Sequence, residues 1–176
     1  MKFLYFLLLI ISLPVLLIGQ NIEFDEESGL YAQVEVLEFE NRTKDDLFDK
    51  TIEWVTLNYN SANDVVQLND KEAGKLIVKG IVVLPASMGR TLNINHTLTF
   101  EFKENRMRYR YTGFSGFYLD YNGNAGSSSS FESEIWKKNN STLKKLDGHI
   151  KATEIVLNQY IRSLIEFIEA DDSDDW

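Results

Sequence analysis

The chain has 176 residues, with 18 Lys and Arg against 27 Asp and Glu, and therefore a formal net charge of −9. A chain this acidic repels a phosphate backbone on average, which argues against nucleic acid as its partner. It contains no cysteine, which excludes disulfides and thiolate chemistry, so its stability has to come from packing.

The first twenty residues, MKFLYFLLLIISLPVLLIGQ, have the layout of a secretory signal peptide, because Lys2 precedes an apolar run and Gly19 follows it. The run is close to the ~17–25 residues that can span a bilayer, so an uncleaved anchor is the alternative. Pro14 and the small residue after the run favour cleavage near residue 20. We therefore expect a protein that is exported, periplasmic or secreted, and without a stable membrane span once the signal is removed.

The remaining length suits one domain with a single core. The predicted division is a signal peptide at 1–20, an N-terminal lead-in at 21–29, one α+β domain at 30–170 and an acidic tail, DDSDDW, at 171–176.

The first predicted strand and helix lie between residues 30 and 59. LYAQVEVLEFE alternates apolar and polar side chains, the period of a half-buried strand. Thr43 with Asp46 three residues later resembles a capping box and predicts a helix start. Phe48, Ile52 and Val55 then recur at helical spacing, so this helix should lie on a sheet.

Two strands follow, DVVQL and KLIVKGIVVLP, joined by the loop NDKEAG. Gly74 at the end of the loop is expected to supply a left-handed turn conformation. Gly80 interrupts the second of these strands and indicates a bulge or a close approach of another group to the backbone.

The segment TLNINHTLTFEFK is the clearest strand, with apolar residues on one face and His96 among them. A two-residue turn at Glu104 and Asn105 would bring RMRYRYTG back beside it. Phe102 would then face Met107 and, on the polar face, Glu101 would meet Arg108. A long amphipathic helix closes the chain, with Gly148 inside it.

The predicted order is β-α-β-β-β-β-α, and the economical arrangement is a single antiparallel sheet of about five strands with two helices packed on one face. This order, together with the residues FDKTIEWVTLNYNSANDVVQLNDKEAGKLIVKG, resembles a family of exported bacterial proteins of unknown function with a fold like that of the TATA-box-binding protein (TBP-like). The resemblance implies this fold and an exported location. It implies no catalytic residue, and the fold name alone says nothing about DNA binding.

No catalytic, cofactor-binding or metal-binding residue is predicted. GxSxG, HExxH and cysteine motifs are absent, and the two histidines, His96 and His149, fit a satisfied core or edge position and a surface position, respectively. The acidic tail lacks the glycine and distal glutamate of a calcium loop. We therefore predict a protein that is not an enzyme and needs no cofactor.

The candidate contact surface has two parts. Three arginines alternate along one strand and could form a basic stripe for an anionic partner, although a solvated face paired with acids such as Glu101 is the alternative. The second part consists of aromatic residues set among glycines, which could instead be core under the long helix. The residues are Arg106, Arg108, Arg110, Phe114, Phe117, Tyr118 and Tyr121.

These features predict a binding or interaction module with an unknown macromolecular partner in the cell envelope. The alternative is a carrier of a small apolar ligand, held between the sheet and the C-terminal helix.

Overall fold

The computed structural model describes residues 21–59 and 62–170, which form an antiparallel sheet with two long helices on one of its faces. The strands are β1 (Glu23–Asp25), β2 (Leu30–Glu38), β3 (Val66–Asp70), β4 (Lys75–Pro85), β5 (Thr91–Lys103), β6 (Arg106–Leu119) and β7 (Ser129–Ser130). The helices are α1 (Lys44–Asn58), the short α2 (Ala62–Val65) and α3 (Asn140–Ala170), with 3-10 turns at Ser87–Gly89 and Glu134–Lys138.

The sheet order is β1-β2-β6-β5-β4-β3, with β7 paired to β6. All these pairs are antiparallel, so the predicted α+β class and the order of the main elements are confirmed. The strand count is higher than predicted because β1 and β7 extend the sheet. Strands of three and two residues are too short to show a hydrophobic period in the sequence.

The segment 21–29 is more than a lead-in to the domain, because it contains β1. Ile22 is buried, and its backbone N–H donates a hydrogen bond to Glu154 Oε1 of α3 at 2.7 Å. The predicted signal peptide and acidic tail lie outside the described residues. No helix among residues 21–59 and 62–170 is long and apolar enough to cross a membrane.

Helix α1 begins where the capping pattern predicted. The Thr43 hydroxyl accepts a hydrogen bond from the backbone N–H of Asp46 at 3.1 Å, which satisfies one of the free donors of the first turn. Trp54 and Val55 of α1 and Leu157, Ile161 and Leu164 of α3 are almost fully buried. Both helices therefore pack on the same face of the sheet, as expected.

The β5–β6 hairpin has the predicted register. Phe102 pairs with Met107 and Glu101 with Arg108, across a turn in which Asn105 has a positive φ of 62°. Gly74 likewise adopts the left-handed conformation in the β3–β4 turn, with φ 63°. Two faces with opposite polarity leave only one register that buries every apolar residue.

Candidate functional site

The face of the sheet opposite α1 and α3, here called the open face, carries exposed apolar side chains. Val36 is 49% exposed, Ile81 51% and Val83 58%. These residues alternate along β2 and β4 with residues that point toward the helices and are buried. Exposed apolar residues grouped on one sheet face are a common property of interaction surfaces.

A basic cluster occupies one end of the open face, near the β5–β6 turn. Its members share the face because they alternate with buried residues on their strands, and cross-strand pairing brings them together. The basic cluster consists of Lys75, Lys103, Arg106, Arg108 and Arg110. A groove of about 360 Å³ runs beside it and is lined in part by Val36, Lys75, Glu101, Arg106 and Arg108.

Two members of the basic cluster are paired with carboxylates. Arg108 makes an ion pair with Glu101, with its Nε 2.6 Å from Glu101 Oε2, and Arg110 Nη2 lies 3.4 Å from Asp25 Oδ2. Lys75, Lys103 and Arg106 form no ion pair among the described residues. Exposed pairs of this kind are screened by solvent and contribute little stability. The basic cluster therefore keeps cations available to an external anionic group.

A bulge at Gly113 decides which of the predicted aromatic residues join this face. Thr97 pairs with Thr112 and Asn95 with Ser115, so β6 contains one more residue than β5 in this interval. Gly113 lies in the bulge with φ 66°, a conformation that glycine adopts without strain. The extra residue reverses the alternation, so that odd-numbered residues of β6 point to the open face after the bulge and even-numbered ones before it.

The seven predicted contact residues therefore do not form one surface. Phe117 lies half-buried on the open face with the three arginines, beside Asn93 of β5. Phe114 is fully buried and stacks on Phe131 with ring centroids 5.4 Å apart, so it belongs to the core. Tyr118 points toward α3, and Tyr121 lies 81% exposed in the loop after β6.

His149 is half-buried rather than at the surface, because Tyr118 of β6 and Trp136 of the second 3-10 turn lie against it. Its Nε2 lies 3.3 Å from the Tyr118 hydroxyl, and its ring makes an edge contact with Trp136 at 5.7 Å. On Tyr118 itself, the Arg90 guanidinium carbon lies 5.2 Å from the centroid of the phenol ring. Burial and the charge of Lys145 lower the pKa of His149.

His96 is buried, as predicted for a core position, but the predicted hydrogen bond is wrong. Neither ring nitrogen has a hydrogen-bond partner among the described residues. Burial lowers the pKa of His96 to about 4. The nearby backbone of Ile94 raises the pKa by a smaller amount, although the contact does not have the geometry of a hydrogen bond. The imidazole is therefore neutral at physiological pH.

Gly80 explains how the sheet accommodates this histidine. The two residues are paired across β4 and β5, and a Cβ built on Gly80 would lie 2.6 Å from His96 Nε2 and 2.8 Å from Tyr59 Cε1. Of the two interpretations that the sequence left open, the close approach is the correct one. The described residues contain no group of three or more His, Asp or Glu side chains that could hold a metal ion.

Comparison with known proteins gives a match to one family model and the fold. Residues 34–116 match the family model described as a domain of unknown function (DUF4468) with TBP-like fold. A crystal structure of a TBP-like protein from Parabacteroides distasonis is similar with a TM-score of 0.67 and 16% identity, over 83% of this chain and 97% of that one. A DUF4468 family protein from Bacteroides ovatus is similar with a TM-score of 0.53 and 11% identity, over 86% and 91%.

At these identities the structural similarities establish the fold and leave the function open. The curated proteins gave no significant match. The predicted resemblance is confirmed: residues 34–116 match the DUF4468 family model, and the chain has the TBP-like fold.

Proposed function

We propose that this protein is an exported, non-enzymatic interaction module of the bacterial cell envelope, whose open face binds an anionic macromolecule. The observation that carries the proposal is the basic cluster on a sheet face that α1 and α3 leave uncovered. Its cations stand out in a chain with a formal net charge of −9.

The chemistry of the basic cluster favours recognition of carboxylate or similar oxyanion groups. Arginine presents a planar fork of donors that matches such groups, and Arg106 has no ion pair among the described residues. The rest of this acidic chain repels an anionic partner, whereas the basic cluster attracts it. The charge distribution therefore also orients the partner toward the open face. Val36, 49% exposed beside Arg108, adds apolar area to the same surface.

The exported location rests on the N-terminal segment. The cation, apolar run and small residue in 1–20 form the signal-peptide layout. Cell fractionation with an antibody to the chain tests this part: the protein is expected in the periplasm or medium, at the mass of the chain without about 20 residues. Retention of the full-length chain in the cytoplasm would contradict export.

Photo-cross-linking in the native cells tests the binding surface. A photoreactive amino acid replaces Val36 on the open face in one variant and Leu57 on the outer side of α1 in the other; these residues are 49% and 67% exposed. A discrete cross-linked species from position 36, absent from position 57, is the expected result. Equal labelling from both positions, or labelling from position 57 alone, would contradict a role for the open face.

A further inference from the structure

The buried polar atoms without partners are not scattered through the protein. Among the described residues, every buried side-chain nitrogen or oxygen that lacks a hydrogen-bond partner belongs to one of four residues: Gln33, Tyr59, His96 and Tyr111. Buried polar groups are almost always paired in folded proteins, so several unpaired ones together point to a missing partner.

These four residues form a continuous row across the helix-covered face of the sheet, here called the polar row. Gln33 pairs with Tyr111 across β2 and β6, and the ring of Tyr111 meets that of His96 at 5.2 Å. His96 and Tyr59 both contact the position of Gly80. The polar row thus extends from β2 to the β4 side of the sheet, where Tyr59 follows α1.

The polar row reaches a cleft of about 790 Å³ at the β4 edge, within the usual size range of a small-molecule site. The edge is open there because β3 pairs with β4 only as far as Val78. On the helix side the cleft is lined by Tyr59, His96 and Tyr160, and on the open face by Ile81, Val83 and Asn95, among others. Its two charged lining residues, Asp64 and Lys79, are exposed at its mouth.

The side chains of the polar row determine which ligand they could bind. Two phenols, a neutral imidazole and an amide oxygen offer both hydrogen-bond donors and acceptors, but no charge. A charged ligand would leave water without a compensating ion at this depth, which is strongly unfavourable. An apolar ligand would leave the same atoms unpaired.

We infer that the cleft binds a small uncharged ligand that carries both hydrogen-bond donors and acceptors, with Tyr59 and His96 as its polar contacts. This site differs in chemistry from the apolar carrier predicted from the sequence. The cleft extends around the β4 edge to Ile81 and Val83 of the open face, but its lining includes no member of the basic cluster. Either site can therefore fail its test without affecting the other.

The two histidines of the chain provide a direct assay, because His149 is an internal control for His96. The full chain is labelled with ¹⁵N-histidine, and the imidazole resonances are followed by NMR during titration with three probes of similar shape: benzamide, benzoate and toluene. Benzamide is neutral and has a donor and an acceptor, benzoate is anionic, and toluene is apolar.

The expected result is a saturable shift of the His96 resonances with benzamide, little change at His149, and at least fivefold weaker effects with benzoate and toluene. Tyr59→Phe removes one hydroxyl and keeps the ring, so it should weaken benzamide binding about two- to tenfold. Tyr118→Phe removes a hydroxyl that lies against His149, outside the polar row, and should leave benzamide binding unchanged.

Three results would overturn the inference. No saturable shift of His96 with benzamide would mean that ordered water alone satisfies the polar row. Preferential binding of toluene would restore the apolar carrier, and preferential binding of benzoate would show that the site is cationic. Unchanged benzamide affinity in a Tyr59→Phe variant with a native-like spectrum would remove Tyr59 from the site.

Discussion

The same substitution, glycine to alanine, should have opposite effects at two positions of this protein. Gly80 lies under the rings of His96 and Tyr59, where an added Cβ would be 2.6 and 2.8 Å from ring atoms. These distances are well below the roughly 3.5–4.0 Å of a normal carbon contact. Gly148 lies within α3, and a Cβ there would meet no atom within 4 Å.

The magnitudes follow from these environments. Overpacking at position 80 destabilises the protein by about 1–3 kcal/mol. Replacing a glycine inside a strand stabilises it by about 0.5–1 kcal/mol, which offsets part of this cost. Gly80→Ala should therefore lower the free energy of unfolding by about 0.5–2 kcal/mol, taking the low ends of the two ranges together and the high ends together. Gly148→Ala should raise it by about 1 kcal/mol, because alanine is the better helix former.

Urea denaturation followed by circular dichroism measures both changes. The corresponding shift of Tm is about 2–4 °C per kcal/mol for a domain of this size. A Gly80→Ala variant as stable as the original protein would show that the rings of His96 and Tyr59 move aside without cost, and would refute a tightly packed β4–β5 interface at this point. A destabilised Gly148→Ala variant would show that position 148 contacts other residues.

Three further predictions concern pH, a helix cap and a turn. The pKa of His96 is about 4 in the folded protein, against an ordinary value of 6.5. Between these two pH values the unfolded chain binds more protons than the folded one. The free energy of unfolding should therefore fall by up to about 3 kcal/mol as pH drops through this window. His149, whose pKa is also lowered, adds in the same direction. Urea titrations at pH 7 and pH 5 measure the part of the loss that occurs above pH 5, about 2 kcal/mol from His96; a flat profile would contradict a neutral buried His96. Thr43→Ala should cost about 0.5–2 kcal/mol in the same assay through loss of the helix cap, whereas Thr43→Ser should cost much less. Asn105→Ala should lower stability by about 1–2 kcal/mol and Asn105→Gly should not, because position 105 has a positive φ; equal effects would contradict that turn geometry.

The sequence predicts the main elements of this fold because their two faces differ in polarity. The β5–β6 register follows from the pairing of Phe102 with Met107 and of Glu101 with Arg108, and a shift by one residue would expose the entire apolar set. Helix α1 is predictable for a local reason, since the Thr43 cap lies directly before its first turn.

The sequence could not show in the same way which of the predicted contact residues lie in the core and which lie on the open face. Gly113 and Gly116 both interrupt the alternation of β6, and only pairing with β5 shows that the extra residue lies at Gly113. That one residue sends Phe114 into the core and Phe117 to the open face. A period-2 pattern gives no sign of a reversal until the partner strand is known.

The polar row depends even more on tertiary structure. Its members come from β2, the end of α1, β5 and β6, and each of them alone looks like an ordinary core or edge residue. Gly80 was the only local signal, because a glycine inside a strand indicates a close neighbour. The identity of that neighbour, His96, depends on the β4–β5 register.

The most direct test of binding at the open face is a matched pair of charge reversals, assayed against the partner captured from position 36. Arg106→Glu and Lys151→Glu change the net charge equally, but Arg106 lies in the basic cluster and Lys151 is exposed on α3. Weaker binding by Arg106→Glu alone, with an affinity of the original protein that falls as salt rises, is the predicted result. Equal affinities of the two variants for the partner would contradict the assignment of the open face as the binding surface.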